Sequence, residues 1–366
     1  MASEIELKAM RKALKLACRS RGNTFPNPMV GAVILGPEGI EVGDGFHRKC
    51  GTPHAEAVAL SSAGNDARGA TMVVTLEPCC HQGRTGPCTE QIIEAGISRV
   101  VVAMEDPDPR VSGSGAEQLR EAGIEVEVGP LAEEARKLNR VYIHFLKTGR
   151  SWVTLKMAQS LDGRTAAADG SSRWITCEDS RKLVHARRAS VGAVMTGAGT
   201  VREDDPELTV RLAPLPPSGQ PVRIVVTSTG DLGKSEKLIN APGRTVVALP
   251  EGVRTENKRV DIWEFPPVQN DSGFQLLSLL ERTAAEGIGE ILCEAGPRLS
   301  TELLSRELVD SVMIFTAPVL LGGEGRPAFE TLGVDSIDDV IRLRNVSFTL
   351  SGTDFLTEGD IVHRTD

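Results

Sequence analysis

His54 and Glu56, followed by Cys79 and Cys88, are the residues of this chain whose types and spacing carry chemistry most directly. A hydrolytic zinc site needs three protein ligands and one position left open for water. One imidazole and two thiolates, from His54, Cys79 and Cys88, meet that need. Glu56 stands two residues beyond His54, close enough to touch a water at the metal without ligating it. Zinc lowers the pKa of such a water toward 7, and a carboxylate beside it can carry the proton to a departing amine. The ligand-bearing segments are expected to open helices, whose positive ends favour ionised thiolates. A structural zinc would instead close its shell with a fourth ligand, Cys80 or His81, and would leave Glu56 without a task.

The elements that must hold these residues follow from the pattern of apolar runs. Strands are expected over 29–36, 70–78, 98–107 and 124–129, with helices over 54–64, 89–96 and 116–123 between them. This alternation predicts an α/β layered domain with a largely parallel sheet. One helix over 131–149, stopped at Gly149, would close it. The pattern restarts at Ser151 with a strand over 152–158, which Asp162-Gly163 turns into a hairpin-like return. Further strands are expected over 191–197, 222–228, 244–249, 290–295, 311–320, 346–352 and 360–365. The last of these have no helix between them, so the second sheet is predicted to be mixed, with antiparallel pairs near its end. Two domains result, residues 1–147 and 148–366, and the Pro-rich stretch 212–221 is a loop within the second.

Length and composition agree with this division and exclude several classes. The 366 residues, 40% hydrophobic and 25% charged, suit two ordinary globular domains. A net charge of -9 speaks against a phosphate backbone as partner, although two or three arginines suffice for a small phosphorylated molecule. No stretch approaches the roughly 20 apolar residues of a membrane span. Residues 1–20 mix acids with bases and read as an amphipathic helix and not a targeting segment, so a cytoplasmic location is expected. Seven cysteines, an odd number, point to reduced thiols. Cys18, Cys50, Cys177 and Cys293 are scattered and read as inert.

The second half carries weaker signals. It lacks the G-x-G-x-x-G dinucleotide fingerprint. Thr196-Gly197-Ala198-Gly199-Thr200-Val201 and Glu294-Ala295-Gly296-Pro297-Arg298-Leu299-Ser300 each follow a strand and open a helix. Either is an ordinary strand–helix turn or a place where backbone N–H groups meet a pyrophosphate. Spacing alone leaves both readings open.

The His-x-Glu and Pro-Cys pairing is the signature of zinc nucleobase deaminases, with one difference. Eight residues, not two, separate Cys79 from Cys88. The loop Pro78-Cys79-Cys80-His81-Gln82-Gly83-Arg84-Thr85-Gly86-Pro87-Cys88 resembles that of the bifunctional deaminase-reductases of riboflavin biosynthesis. Thr24–Gly31, Gly45-Phe46-His47 and Asp106-Pro107-Asp108-Pro109 resemble other landmarks of that family. So do Leu155–Arg164, Trp174-Ile175-Thr176, Gly199-Thr200-Val201 and Asp204–Arg211. Gly86 departs from the usual second proline, which loosens the loop without removing a ligand.

The resemblance implies a cytidine-deaminase-like first domain and a dihydrofolate-reductase-like second one, using Zn2+ and NADPH. It implies a phosphorylated pyrimidine, 2,5-diamino-6-(5-phosphoribosylamino)pyrimidin-4-one, losing its 2-amino group before the ribosyl chain is reduced to ribityl. It places Asn27 against the pyrimidine, with His47 and Lys49 as further contacts. NADPH would lie against Ala158, Trp174, Thr200, Asp204, Ser228 and the helix start Gly296, Pro297, Arg298, Leu299 and Ser300. The reductase substrate would meet Ser172, Arg188, Leu208, Arg211 and Glu294, with Lys156 assisting ring opening. A homo-oligomer is also implied.

Overall fold

The structure, a computed structural model, describes residues 2–81, 86–268 and 273–363. Gln82, Gly83, Arg84 and Thr85 of the cysteine loop lie outside the described residues, as do the last two residues of the expected 360–365 strand. The chain divides into two compact units, Met1–Gly149 and Arg150–Asp366. Among the described residues no helix is long and apolar enough to cross a membrane.

The first unit contains, in chain order, α1 (Glu4–Cys18), β1 (Gly31–Leu35), β2 (Glu41–Phe46), α2 (Ala55–Ala63), β3 (Thr71–Val74), α3 (Cys88–Ala95), β4 (Arg99–Val102), α4 (Ser114–Glu121), β5 (Glu125–Val128), α5 (Ala132–Leu138) and α6 (Arg140–Thr148). Ser3 caps α1 and exchanges hydrogen bonds with Glu6 in a capping box. The sheet runs β2-β1-β3-β4-β5. β3, β4 and β5 are parallel, whereas β1 is antiparallel to both β2 and β3. The expected largely parallel sheet is therefore half antiparallel. The cause is β2, whose sequence EVGDGF shows no apolar alternation. Its glycines lie beneath α2: a Cβ at Gly45 would come within 2.6 Å of the Ala59 backbone nitrogen. Small residues here exchange side-chain packing for close backbone approach.

Residues 131–149 form two helices and not the single one expected. The break is Asn139, whose side chain accepts a hydrogen bond from the Met29 N–H (2.8 Å) and donates one to the Met29 carbonyl (3.0 Å). Asparagine readily leaves helical geometry when its side chain finds backbone partners. Here that partner is 110 residues away.

The second unit contains β6 (Trp152–Ser160), β7 (Arg164–Ala166), α7 (Glu178–Arg188), β8 (Ala193–Gly197), α8 (Ala198–Asp204), β9 (Val222–Val226), α9 (Glu236–Asn240), β10 (Thr245–Pro250), β11 (Asp261–Phe265), α10 (Leu276–Ala285), β12 (Glu290–Cys293), α11 (Pro297–Ser305), β13 (Ser311–Ala317), β14 (Arg326–Pro327), β15 (Leu343–Ser351) and β16 (Asp354–Ile361). Among the described residues, nine strands make one sheet in the order β11-β10-β9-β8-β12-β6-β13-β16-β15. The strands from β11 to β13 are parallel, and β13/β16 and β16/β15 are antiparallel. The mixed sheet with antiparallel pairs at its end is thus the one expected.

Both faces of its centre are covered. Ala193, Met195, Ile224, Val246, Ala248, Ile291 and Cys293 pack in one cluster, while Val194, Val225, Val247, Leu249 and Leu292 pack in another. Burial on both faces explains why these strands read as unbroken apolar runs. The return after Asp162-Gly163 does not pair with β6 as a hairpin. β7 pairs with β14 instead, and Asp162 accepts hydrogen bonds from the N–H groups of Leu321 and Gly322.

Candidate active sites

His54 caps the N-terminus of α2, Glu56 lies in its first turn, and Cys88 is the first residue of α3. Cys79 sits in the loop that leaves β3. That loop is fixed from behind by Glu77, whose buried carboxylate accepts hydrogen bonds from the N–H groups of Asp106 (3.1 Å), Gly113 (2.9 Å) and Ala116 (3.0 Å). The start of α4 presses directly on it. A Cβ at Gly115 would stand 2.1 Å from the Pro78 carbonyl oxygen, so only glycine fits.

The ligand atoms of His54, Cys79 and Cys88 lie within 4.8 Å of one another. His54 Nδ1 is 3.3 Å from Cys88 Sγ and 3.6 Å from Cys79 Sγ. A tetrahedral ion with bonds of about 2.0 Å to nitrogen and 2.3 Å to sulfur sets separations of about 3.5 Å, so this donor set fits zinc. The Cys79 thiol is drawn down to about 4, first by its hydrogen bond with Cys88 and further by His54. Cys88 is pushed up by the same sulfur. Two sulfurs that compete for one proton are a place where a cation is welcome. Cys80 is half-buried and His81 exposed, and neither belongs to the cluster.

Glu56 is 3% exposed, and among the described residues its Oε2 has no hydrogen-bond partner. Burial, then the Cys79 charge, pushes its carboxyl up to about 7. An orphaned carboxylate oxygen beside three metal-type ligands is suited to giving and taking a proton near neutrality. A cavity of about 510 Å³ opens over it, lined among others by Asn27, His47, His54, Cys79, Asp106 and Tyr142. Asn27 Nδ2 is 3.3 Å from His47 Nε2, and His47 Nδ1 is 3.2 Å from the Pro53 carbonyl. The Pro53 carbonyl requires the proton on Nδ1, which leaves Nε2 to accept from Asn27. Lys49 is exposed and does not line the cavity. Tyr142 and Phe145 on α6 do line it, and no motif pointed to them.

In the second unit, Lys156 Nζ on β6 lies 3.8 Å from Glu294 Oε2 at the end of β12. Arg188 Nε and Nη2 donate to Glu294 at 2.5 and 3.0 Å, while Nη1 donates to the Thr209 carbonyl. Arg188 and then Lys156 hold the Glu294 carboxyl at about 2 against a strong opposing effect of burial. Burial in turn depresses Lys156. Arg211 pairs with Glu207 at 2.5 Å, and its backbone N–H donates to His185 Nδ1. Leu208, in the same loop, is buried at positive φ. Ser172 is half-buried two residues before Trp174, which is 70% exposed with the Arg181 guanidinium over its ring.

A second cavity, about 490 Å³, opens at the carboxyl ends of β8, β9 and β12. β8 continues outward to β9, whereas β12 is followed by β13 on the opposite side, so the crevice between β8 and β12 is a topological switch point. Open α/β sheets bind their ligands at such points. Thr200, Ser228, Gly296, Pro297, Arg298 and Leu299 line the cavity. Ala158, Trp174, Asp204 and Ser300 do not, and the buried Ser300 spends its N–H on the Gly296 carbonyl and its hydroxyl on the Ala295 carbonyl. The size, the position and the start of α11 at one wall suit a dinucleotide.

Each of the two units also matches a known family. Residues 3–104 match the family described as cytidine and deoxycytidylate deaminase zinc-binding region, and residues 151–357 match the RibD C-terminal domain. The riboflavin biosynthesis protein RibD of Aquifex aeolicus is 42% identical, covering 97% of this chain and 98% of its own. The chain belongs to the RibD family. The RibD of Escherichia coli is 41% identical over 90% of this chain and 92% of its own. Among solved structures, Acinetobacter baumannii RibD superposes with a TM-score of 0.86 at 37% identity, covering 98% of this chain and 99% of that one. The Thermotoga maritima diaminohydroxyphosphoribosylaminopyrimidine deaminase/5-amino-6-(5-phosphoribosylamino)uracil reductase gives 0.84 at 36% identity, with the same coverage. As a RibD, this chain is a bifunctional deaminase and reductase of riboflavin biosynthesis, with zinc and NADPH as cofactors.

Proposed function

We propose that the Met1–Gly149 unit hydrolyses the 2-amino group of 2,5-diamino-6-(5-phosphoribosylamino)pyrimidin-4-one and that the Arg150–Asp366 unit reduces the deaminated product. The observation that carries this reading is the buried, unpartnered Oε2 of Glu56 beside His54, Cys79 and Cys88. Those three side chains hold the zinc ion, which when bound supplies Lewis-acid activation of water near neutral pH. Glu56 takes the proton of the attacking water and passes it to the leaving amine, for which a carboxyl titrating near 7 is matched. Asn27, held by its hydrogen bond to His47, presents its amide edge to the pyrimidine.

The product, 5-amino-6-(5-phosphoribosylamino)uracil, passes to the second unit. NADPH, when bound in the crevice between β8 and β12, supplies the hydride. The ribosylamine opens to an imine at C1′, and reduction there gives the ribityl amine. Lys156 hands a proton to the opening ring oxygen, and Glu294 orients it. Arg188, fully engaged with Glu294 and Thr209, holds that carboxylate in place. Arg211 exchanges Glu207 for the substrate phosphate, to which a guanidinium offers a two-pronged contact. Thr200, Ser228 and Gly296–Leu299 bind the cofactor, Ala158, Trp174 and Asp204 are further contacts for it outside the crevice, and Ser300 braces the start of α11 through its bond to the Ala295 carbonyl. Ser172 and Leu208 shape the substrate end. The working enzyme is a homo-oligomer of the cytoplasm acting on a small phosphorylated pyrimidine.

A two-stage assay tests the reading. Purified, zinc-loaded protein given the diaminopyrimidine ribosyl phosphate should release ammonia without NADPH, and should consume NADPH only after that release. Ammonia without later NADPH consumption would remove the reductase half of the proposal, and absence of both would remove its substrate.

A further inference from the structure

Asn139 joins two walls of the deaminase cavity. It is 1% exposed, and both polar atoms of its side chain are bonded to the backbone of one residue, Met29. Met29 ends the Pro26-Asn27-Pro28 segment that lines the cavity on one side, and the Asn27 amide reaches His47. On the other side, α6 begins directly after Asn139 and lines the cavity with Tyr142, Phe145 and Leu146. Phe145 meets Phe25 edge-on at 4.9 Å, a second contact between the same walls. The match to the zinc-binding region of cytidine deaminases, which includes His54, Glu56, Cys79 and Cys88, ends at residue 104, and α6 lies beyond it. Asn139 fastens α6 to the Asn27 segment.

We propose that Asn139 is a positioning residue of the deaminase, fixing the distance between Asn27 and the α6 wall and so the fit of a ribosylated pyrimidine. The inference rests on the deaminase reading above. A side chain that both accepts from and donates to a single residue behaves as a strand partner would, and it fixes position and orientation together. Alanine at 139 removes both bonds and leaves the zinc cluster untouched. A carboxylate at 139 keeps the acceptor for the Met29 N–H but turns a second oxygen toward the Met29 carbonyl. When protonated, the same acid donates to that carbonyl and restores both bonds. Burial raises the pKa of such an acid, which brings its protonation into a working pH range.

The test compares wild type, Asn139→Ala and Asn139→Asp in ammonia release, each with zinc content measured. Asn139→Ala should raise the deaminase KM at least tenfold, with kcat within about threefold, one zinc per chain and normal reduction of supplied uracil intermediate. The KM ratio of Asn139→Asp to wild type should fall toward one as pH is lowered from 8 to 5.5. Loss of zinc together with equal loss of kcat in Asn139→Ala would mean a purely structural role and would overturn the proposal. So would an unchanged KM, or a flat Asn139→Asp ratio across pH, which is readable even if the alanine variant does not fold. Wild-type ammonia release in the same assay reports separately on the substrate reading.

Discussion

Lys156 Nζ stands 3.8 Å from a Glu294 carboxylate that Arg188 already grips through two nitrogens. The two cations are therefore not equivalent. Arg188 makes the hydrogen bonds that satisfy a buried acid, while Lys156 adds charge from a distance at which it is free to meet substrate. Replacing Lys156 by Met should lower reductase kcat at least a hundredfold while NADPH binding and thermal stability change little. Replacing Arg188 by Met strands Glu294 and should cost about 3 kcal/mol or more of stability. Urea melts of both variants, followed by tryptophan fluorescence, decide the point. Trp152, Trp174 and Trp263 all lie in the Arg150–Asp366 unit, so the signal reports on it alone.

Glu56→Gln should lower ammonia release by about 10²–10⁴-fold, the usual worth of a positioned acid–base group. Zinc content should stay at one per chain, because the three ligands remain. Reduction of supplied uracil intermediate should be unaffected. Zinc loss in this variant would show that Glu56 supports the metal cluster and not the proton transfer.

Arg211→Lys replaces a fork by a point charge at a position now paired with Glu207. The reductase KM for the phosphorylated intermediate should rise about tenfold with little change in kcat. Glu207→Gln should move KM the other way, since it frees Arg211. Steady-state kinetics at two phosphate concentrations would reveal both effects, and an unchanged KM in both variants would place the phosphate elsewhere.

His185 is buried, and burial first, then the charges of Arg188 and Arg211, depress its pKa to about 4. The unfolded chain binds this proton with a pKa of 6.5. Between about 4 and 6.5 the unfolded state therefore carries more protons, so stability rises with pH across that window and is lost as pH falls through it. The loss is at most roughly 1.4 kcal/mol per pH unit. His185→Gln removes this dependence. Tryptophan-monitored urea midpoints should fall less steeply from pH 6.5 to 4.5 in the variant than in wild type.

The parts of these sites that were legible in the sequence are those whose chemistry restricts residue type. Thiolates and imidazoles make a zinc ligand set, and with only seven Cys and six His in the chain, His54, Cys79 and Cys88 stand out at any distance along it. The unbroken apolar runs of β8, β9, β10 and β12 were equally plain, because both faces of each are covered. What stayed hidden depends on partners far away in sequence. Asn139 breaks a helix because Met29 is there to receive its side chain. β2 carries no apolar alternation because α2 lies against its glycines. Glu77 looks like nothing more than an acid before a Pro-Cys pair, yet its oxygens accept from the N–H groups of Asp106, Gly113 and, in α4, Ala116. β7 left the expected hairpin for a strand some 160 residues onward.

The position of β12 has a consequence during synthesis. It pairs with β8 on one side and β6 on the other, although it is made roughly a hundred residues after β8. Until Glu290–Cys293 leaves the ribosome, β8 presents an unpaired apolar edge and β6, whose other neighbour β13 is made later still, has no strand partner in the sheet. The first unit has by then had all of its strands available since Val128. The nascent chain thus carries a complete deaminase core ahead of a reductase sheet that lacks its middle strand, and domains generally fold as units in the order they emerge. Chains stopped short of residue 290 should accumulate as aggregates nucleated by those open edges, with the zinc site already formed.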